Sequence, residues 1–146
     1  MKLRKKADIP CGICLFSLGG LLYNLIEILW RGHTHWSMFW VGGACFRLIG
    51  KIYSVCSHTK LYLRCFLSAV AVTVVEFISG CYFNLHLKLE VWNYAGRPLN
   101  ICGQVCLLYS VFWGVLSIPA GLLHTHCEKK LHCLGRVFYL SSEGHK

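Results

Sequence analysis

This sequence predicts an all-α fold, a polytopic transmembrane helical bundle of about four helices with both termini cytoplasmic, on three observations. Apolar residues make up 55% of the chain and mean hydropathy is +0.51, a balance foreign to soluble domains. They gather into four long blocks, each near or within the ~17 to 25 residues that cover a bilayer core. In lipid every backbone N–H and C=O needs an internal partner, so such blocks form helices. Finally, the lysines and arginines fall almost entirely between the blocks, where they read as topology and headgroup charges. The net charge of +9 therefore does not point to nucleic acid.

The first block, Ile9 to Trp30, follows a basic N-terminus (residues 1–8) carrying Lys2, Arg4, Lys5 and Lys6. Pro10 suits a helix start. The arrangement resembles a signal peptide, but the run is long and closes on Trp30-Arg31-Gly32 without an A-x-A-like site, so a retained anchor is expected. Cys11 and Cys14 have thioredoxin-like spacing without a βαβ setting, so they read as packing residues. Most of the ten cysteines, among them Cys45, Cys65 and Cys106, read the same way.

A polar stripe runs up this helix: Gly20, Asn24, Glu27 and Arg31 recur at +4, +3 and +4 and share one face. A carboxylate inside an apolar span needs a partner, which makes Glu27 either structural glue or part of a site. The turn that follows holds His33 and His35, bracketed by Trp30, Trp36 and Trp40 in the manner of an interfacial belt. Two histidines alone do not fill a metal's coordination sphere.

The second block, Trp36 to about Tyr53, contains Arg47 and reaches Lys51 early, so it spans only if both bases snorkel to one headgroup layer. A re-entrant segment is the competing reading. Gly42 and Gly43 invite a close helix neighbour. The third block, about Leu63 to Leu85, repeats the rhythm of the first with Ala69, Thr73, Glu76, Gly80 and Asn84. Glu76 falls near mid-membrane, with Gln104, Thr73 and Asn24 as its expected neutral hydrogen-bond partners. Residues 85–100 alternate polar and apolar and end in a Gly-Arg-Pro turn, which predicts an interfacial loop anchored by Trp92 and Tyr94. The fourth block, about Ile101 to Leu123, is expected to be helical from Asn100 and Gln104 onward. Gln104 would lie within reach of Glu76 or Glu27, Gly114 on a small-residue packing face, and Pro119 at a kink or end.

Residues 9–123 thus form a single membrane domain, and 124–146 a basic, His/Cys-rich tail. His124, His126, Cys127, His132 and Cys133 are metal-capable, but H-x-H-C-x4-H-C is not a standard zinc spacing, and a lipid-hugging amphipathic tail is the preferred reading. No cofactor or metal is expected. With four crossings, one side carries the N-terminal bases, Lys51, Lys60 and Arg64, and Lys129, Lys130, Arg136 and Lys146. The other side holds only Arg31, Lys88 and Arg97, which places both termini in the cytoplasm.

Several separated segments together resemble the Putative ABC-transporter type IV family of small bacterial membrane proteins. They are L-I-E-I-L-W-R-G-H-T-H-W-S-M-F at 25–39 with Gly42-Gly43, V-E-F-I-S-G at 75–80 with Asn84, V-W-N-Y at 91–94, Arg97-Pro98-Leu99-Asn100, and G-Q-V-C at 103–106. They agree in order and spacing over roughly residues 12–123. The family's usual W-D-Y stands here as Trp92-Asn93-Tyr94, and its acidic tail start is replaced by the His/Cys-rich segment. The resemblance implies transport, in a bacterial inner membrane, but brings no catalytic or substrate-binding residues with it.

The leading expectation is a multi-pass cell-membrane protein, a permease-like subunit in which Asn24, Glu27, Arg31, His35, Glu76, Asn84, Asn100 and Gln104 form a polar seam. The sequence has no G-x-x-x-x-G-K-[ST], so a separate ATPase subunit would supply hydrolysis. Besides lipid, the expected partners are further copies of the chain or other membrane subunits. The alternative is a structural or regulatory membrane protein whose seam only holds helices together. A membrane enzyme ranks third, since no nucleophile, base and orienting group are visible as a set.

Overall fold

A computed structural model describes the backbone of residues 2–143 and the side chains of residues 11–133. The side chains of Lys2, Arg4, Lys5, Lys6, Arg136 and Lys146, which carry part of the charge asymmetry, lie outside the described residues. Among these residues the structure is helical apart from turns, one loop and one small hairpin: α1 (Lys2–Arg31), α2 (Trp36–Val55), α3 (Leu61–Gly80) and α4 (Leu107–Glu143). Three stretches, Cys11–Arg31, Leu61–His86 and Leu107–Cys133, are long and apolar enough to cross a membrane.

The second helix is not among them, since Arg47 and Lys51 lower its hydropathy, and it is also the most buried. Half of its twenty residues are buried, against four of the twenty in α3. It is the central helix, so Arg47 and Lys51 are carried by an element whose other faces are covered by protein. Its Met38, Val41, Cys45, Ile49 and Tyr53 form the core with Val72 of α3 and with Val91 and Trp92 from the loop that follows. It runs unbroken from Trp36 to Val55.

Glycines bring α1 and α2 into backbone contact at four reciprocal points. Phe46 fills the notch at Gly19 and Phe39 that at Gly20, while Tyr23 covers Gly42 and Phe16 covers Gly43. A Cβ at any of the four would fall inside van der Waals contact. The same device joins α2 to α4, with His124 over Gly50 and Tyr53 over Gly121.

Helix ends follow local chemistry. Gly32, at φ 76°, takes the left-handed conformation that ends α1, its N–H bonding the Ile28 carbonyl. His35 then caps α2 by accepting the Ser37 N–H at Nδ1. Arg64 fixes the α2–α3 turn by donating to the carbonyls of Ser57 and Thr59.

Beyond Gly80 the third helix widens into a π-helical stretch, Cys81–His86. The chain then passes through a loop and a hairpin, Asn100–Ile101 paired with Val105–Cys106. Cys102 and Gly103, at φ 52° and 68°, make its turn, closed by the Gln104 N–H on the Ile101 carbonyl. Thus residues 101–106, expected as the first turns of a helix, are a hairpin instead, because two consecutive left-handed residues are incompatible with α-helix. At its other end α4 passes through Pro119 and continues to Glu143 without stopping at 123. Trp92 also departs from expectation: it is a buried plug with its indole N–H on the Gln104 carbonyl at 2.8 Å, where a headgroup anchor was expected.

Candidate functional site

The polar stripe of α1 forms an ion pair. Glu27 and Arg31, one helical turn apart, meet at 2.6 Å, with Glu27 only 6% exposed. Thr34, in the turn after α1, donates to the second carboxylate oxygen of Glu27 and also reaches Asn24 Oδ1 at 3.3 Å. Both oxygens of Glu27 are thereby used. Arg31 donates from its other terminal nitrogen, Nη2, to the Val91 carbonyl at 2.7 Å, and the same nitrogen lies 3.3 Å from His33 Nε2.

A second cluster builds on the π-helical stretch. Asn84 Oδ1 accepts the Val91 N–H at 2.7 Å, and its amide nitrogen donates to the Trp92 carbonyl and to Gln104 Oε1, each at 2.9 Å. Gln104 in turn donates to the Cys102 carbonyl. These bonds seat the Val91–Trp92 segment in the core, next to Lys88 and Glu90, whose positive φ values (54° and 49°) are costly for side-chain-bearing residues.

Glu76 lies between the clusters, 3% exposed. The Tyr23 hydroxyl donates to it at 3.4 Å. Tyr23 stacks on Trp113 of α4, with centroids 5.4 Å apart. The expected partners go elsewhere: Thr73 donates to Ser110, Asn24 accepts from Thr34, and Gln104 sits against Gly80, one turn along α3 from Glu76. Because the hairpin starts α4 only at Leu107, Gln104 stands beside Asn84 rather than at mid-depth. His35 and Asn100 stand apart from the ion pair. The first caps α2, and the second ties the loop by bonding the Ala95 and Arg97 carbonyls and the Gly103 N–H.

Between α1 and α4 a cavity of about 430 Å³ opens past the exposed Trp30 and Val115. Glu27 and Arg31 line one part of it, and Tyr94, Tyr109, Phe112 and Trp113 supply an aromatic wall. Tyr94 stacks on Tyr109 at 4.8 Å. Burial pushes the Tyr94 phenol well above its ordinary range; the Glu76 carboxylate adds to the rise and Arg31 opposes it. Thr34, Tyr23, Trp113 and the Val91 carbonyl were not singled out from sequence. Thr34 and Tyr23 adjoin the stripe in sequence, whereas nothing local marks a backbone carbonyl sixty residues away.

The metal-capable residues of the tail lie on α4, where His124 is buried against Phe46 at a centroid distance of 5.1 Å. Among the described residues no three His, Cys, Asp or Glu side chains converge as metal ligands would.

Residues 14–138 match the family described as Putative ABC-transporter type IV. The chain belongs to that family. Comparison with curated proteins and with solved structures gives no match. The family match and the three apolar helices together mark a membrane protein. In this type IV chain Asn93 bonds the Ala95 N–H through Oδ1 at 2.8 Å, a role that needs only an acceptor oxygen and that an aspartate would also fill.

Proposed function

We propose that the chain is a permease-like subunit of a cell-membrane transporter, that its ATP-hydrolysing partner is a separate polypeptide, and that the α1–α4 cavity holds the passenger. The cavity carries this reading. It couples an apolar aromatic wall to a single ion pair, Glu27–Arg31, and borders Tyr23, through which the buried Glu76 is reached. A pocket with a few placed polar groups on an apolar lining is the usual form of a small-molecule site. The suited passenger is amphipathic, with an apolar body against Tyr109 and Phe112 and a polar group at the pair. The distribution of basic residues supports both termini facing the cytoplasm. A bundle this small gains a wider path by self-association or by pairing with other membrane subunits.

A structural or regulatory role is favoured by one observation: Glu27 already has both oxygens occupied, by Arg31 and Thr34. Affinity purification from native membranes separates the two. The transport reading expects a stoichiometric partner with ATPase activity. Recovery of the chain with itself and lipid alone, from membranes where partner complexes are kept intact, counts against it.

A further inference from the structure

At the opposite end of α2 from the ion pair lies a second cavity, of about 370 Å³, which the seam does not use. Arg47 and Lys51 are one turn apart on α2 and both line it, together with Ser54 and, from α4, His124 and Glu128. Gly50 makes the arrangement possible, because a Cβ there would strike the His124 ring. His124 is thereby sunk to 2% exposure, with Nε2 lying 3.3 Å from Arg47 Nη1. An arginine only donates, so Nε2 is the acceptor and the imidazole proton sits on Nδ1. Nδ1 has no hydrogen-bond partner and is 3.9 Å from Glu128.

Arg47 is therefore oriented by a neutral acceptor rather than by a carboxylate among the described residues. Among the described residues the one ion pair between charged side chains is Glu27–Arg31, Glu128 approaches only the neutral His124, and neither Arg47 nor Lys51 pairs with a carboxylate. The wall carries two cations and one carboxylate, and its donors (guanidinium, ammonium, hydroxyl) outnumber its acceptors. A net charge of about one, presented as several convergent donors, complements a singly charged group with several acceptor oxygens.

We propose that this α2–α4 cavity is a binding site for a phosphate group, with Arg47 and Lys51 as the ligating cations, Ser54 as an added donor and His124 as the residue that positions Arg47. A phospholipid headgroup and a free phosphate ion present the same chemistry.

The test is calorimetric titration of the full chain, in a phosphate-free non-ionic detergent, with inorganic phosphate and with a soluble short-chain phosphatidylglycerol. Wild type is expected to bind at least one of them saturably. Lys51→Gln and Arg47→Gln should each weaken that binding roughly tenfold, as loss of a charge-assisted bond predicts. Lipid binding that phosphate does not displace assigns the site to a headgroup; phosphate binding that displaces or replaces the lipid assigns it to the free ion. Lys51 is exposed, so its variant keeps the fold and decides the matter if Arg47→Gln does not. Saturation by neither probe, or wild-type affinity in a folded Lys51→Gln protein, overturns the proposal.

Discussion

Arg31 and Asn84 hold the same residue from two sides: the arginine donates to the Val91 carbonyl at 2.7 Å, and the asparagine accepts the Val91 N–H at 2.7 Å. The loop after α3 is thus fastened to α1 and to the end of its own helix through one peptide residue. Asn84 is the more heavily used of the pair, since it also meets Trp92 and Gln104.

Asn84→Ala takes their hydrogen-bond partner from the Val91 N–H, the Trp92 carbonyl and Gln104 Oε1 in a largely buried setting. The expected cost is about 1 to 3 kcal/mol, with faster amide exchange at Val91 and Trp92 than in the α2 core. Uniform exchange across the molecule, unchanged from wild type, would show that the loop is held by packing alone.

The periodicity that makes the first three helices legible also makes the stripe legible. Residues at +3 and +4 share a face whatever surrounds them, which is why Glu27 and Arg31 meet as the spacing predicts. What lies beyond one helix is not written in its period. Gln104 is an example: its distance from Glu76 depends on two left-handed residues, Cys102 and Gly103, that turn an expected helix start into a hairpin. Cys102 carries no turn signal of its own. Likewise Trp92 reads as an anchor by residue type, and it is drawn inside by the bond its carbonyl accepts from Asn84 and the one its indole N–H donates to the Gln104 carbonyl. The extension of α4 beyond 123 escapes a reading by hydropathy because His124 is polar yet packs into the Gly50 notch.

The glycine notches give a graded prediction. Gly42→Ala drives a Cβ into Tyr23, the residue that touches Glu76, and should cost about 1 to 3 kcal/mol through overpacking. Gly114→Ala meets Ala69 Cβ at an ordinary 3.4 Å and should melt like wild type. Thermal unfolding of the two variants in one detergent checks this; equal melting temperatures would mean that α1 and α2 are not in the described register.

Tyr94 should resist ionisation. Its folded value lies above the ordinary value of 10.0, so its contribution to stability is complete below about pH 10 and is lost as pH rises through the folded value. Tyrosinate absorbance compared between wild type and Tyr94→Phe should show one late-titrating phenol missing from the variant. A missing phenol that titrates near pH 10 would place Tyr94 in water.

For Glu76 the two functional readings diverge. Glu76→Leu is expected to weaken helix association by about 1 to 2 kcal/mol, since the Tyr23 hydroxyl loses its acceptor. Glu76→Gln keeps the shape and an acceptor oxygen, so it should assemble normally. If the seam takes part in transport, that variant loses function with assembly intact; a Gln variant that works as wild type removes Glu76 from the mechanism.

The most direct measurement of the central claim follows the α1–α4 cavity through nucleotide states. A cysteine placed at Leu116, on the cavity wall, in a chain freed of its own cysteines, is labelled with an impermeant thiol reagent in native membrane vesicles. A passenger cavity driven by a partner ATPase predicts a labelling rate that changes when ATP and magnesium are added and returns when ATP is exhausted. The same rate in every nucleotide state, in vesicles where the partner is present and hydrolysing, would contradict the account.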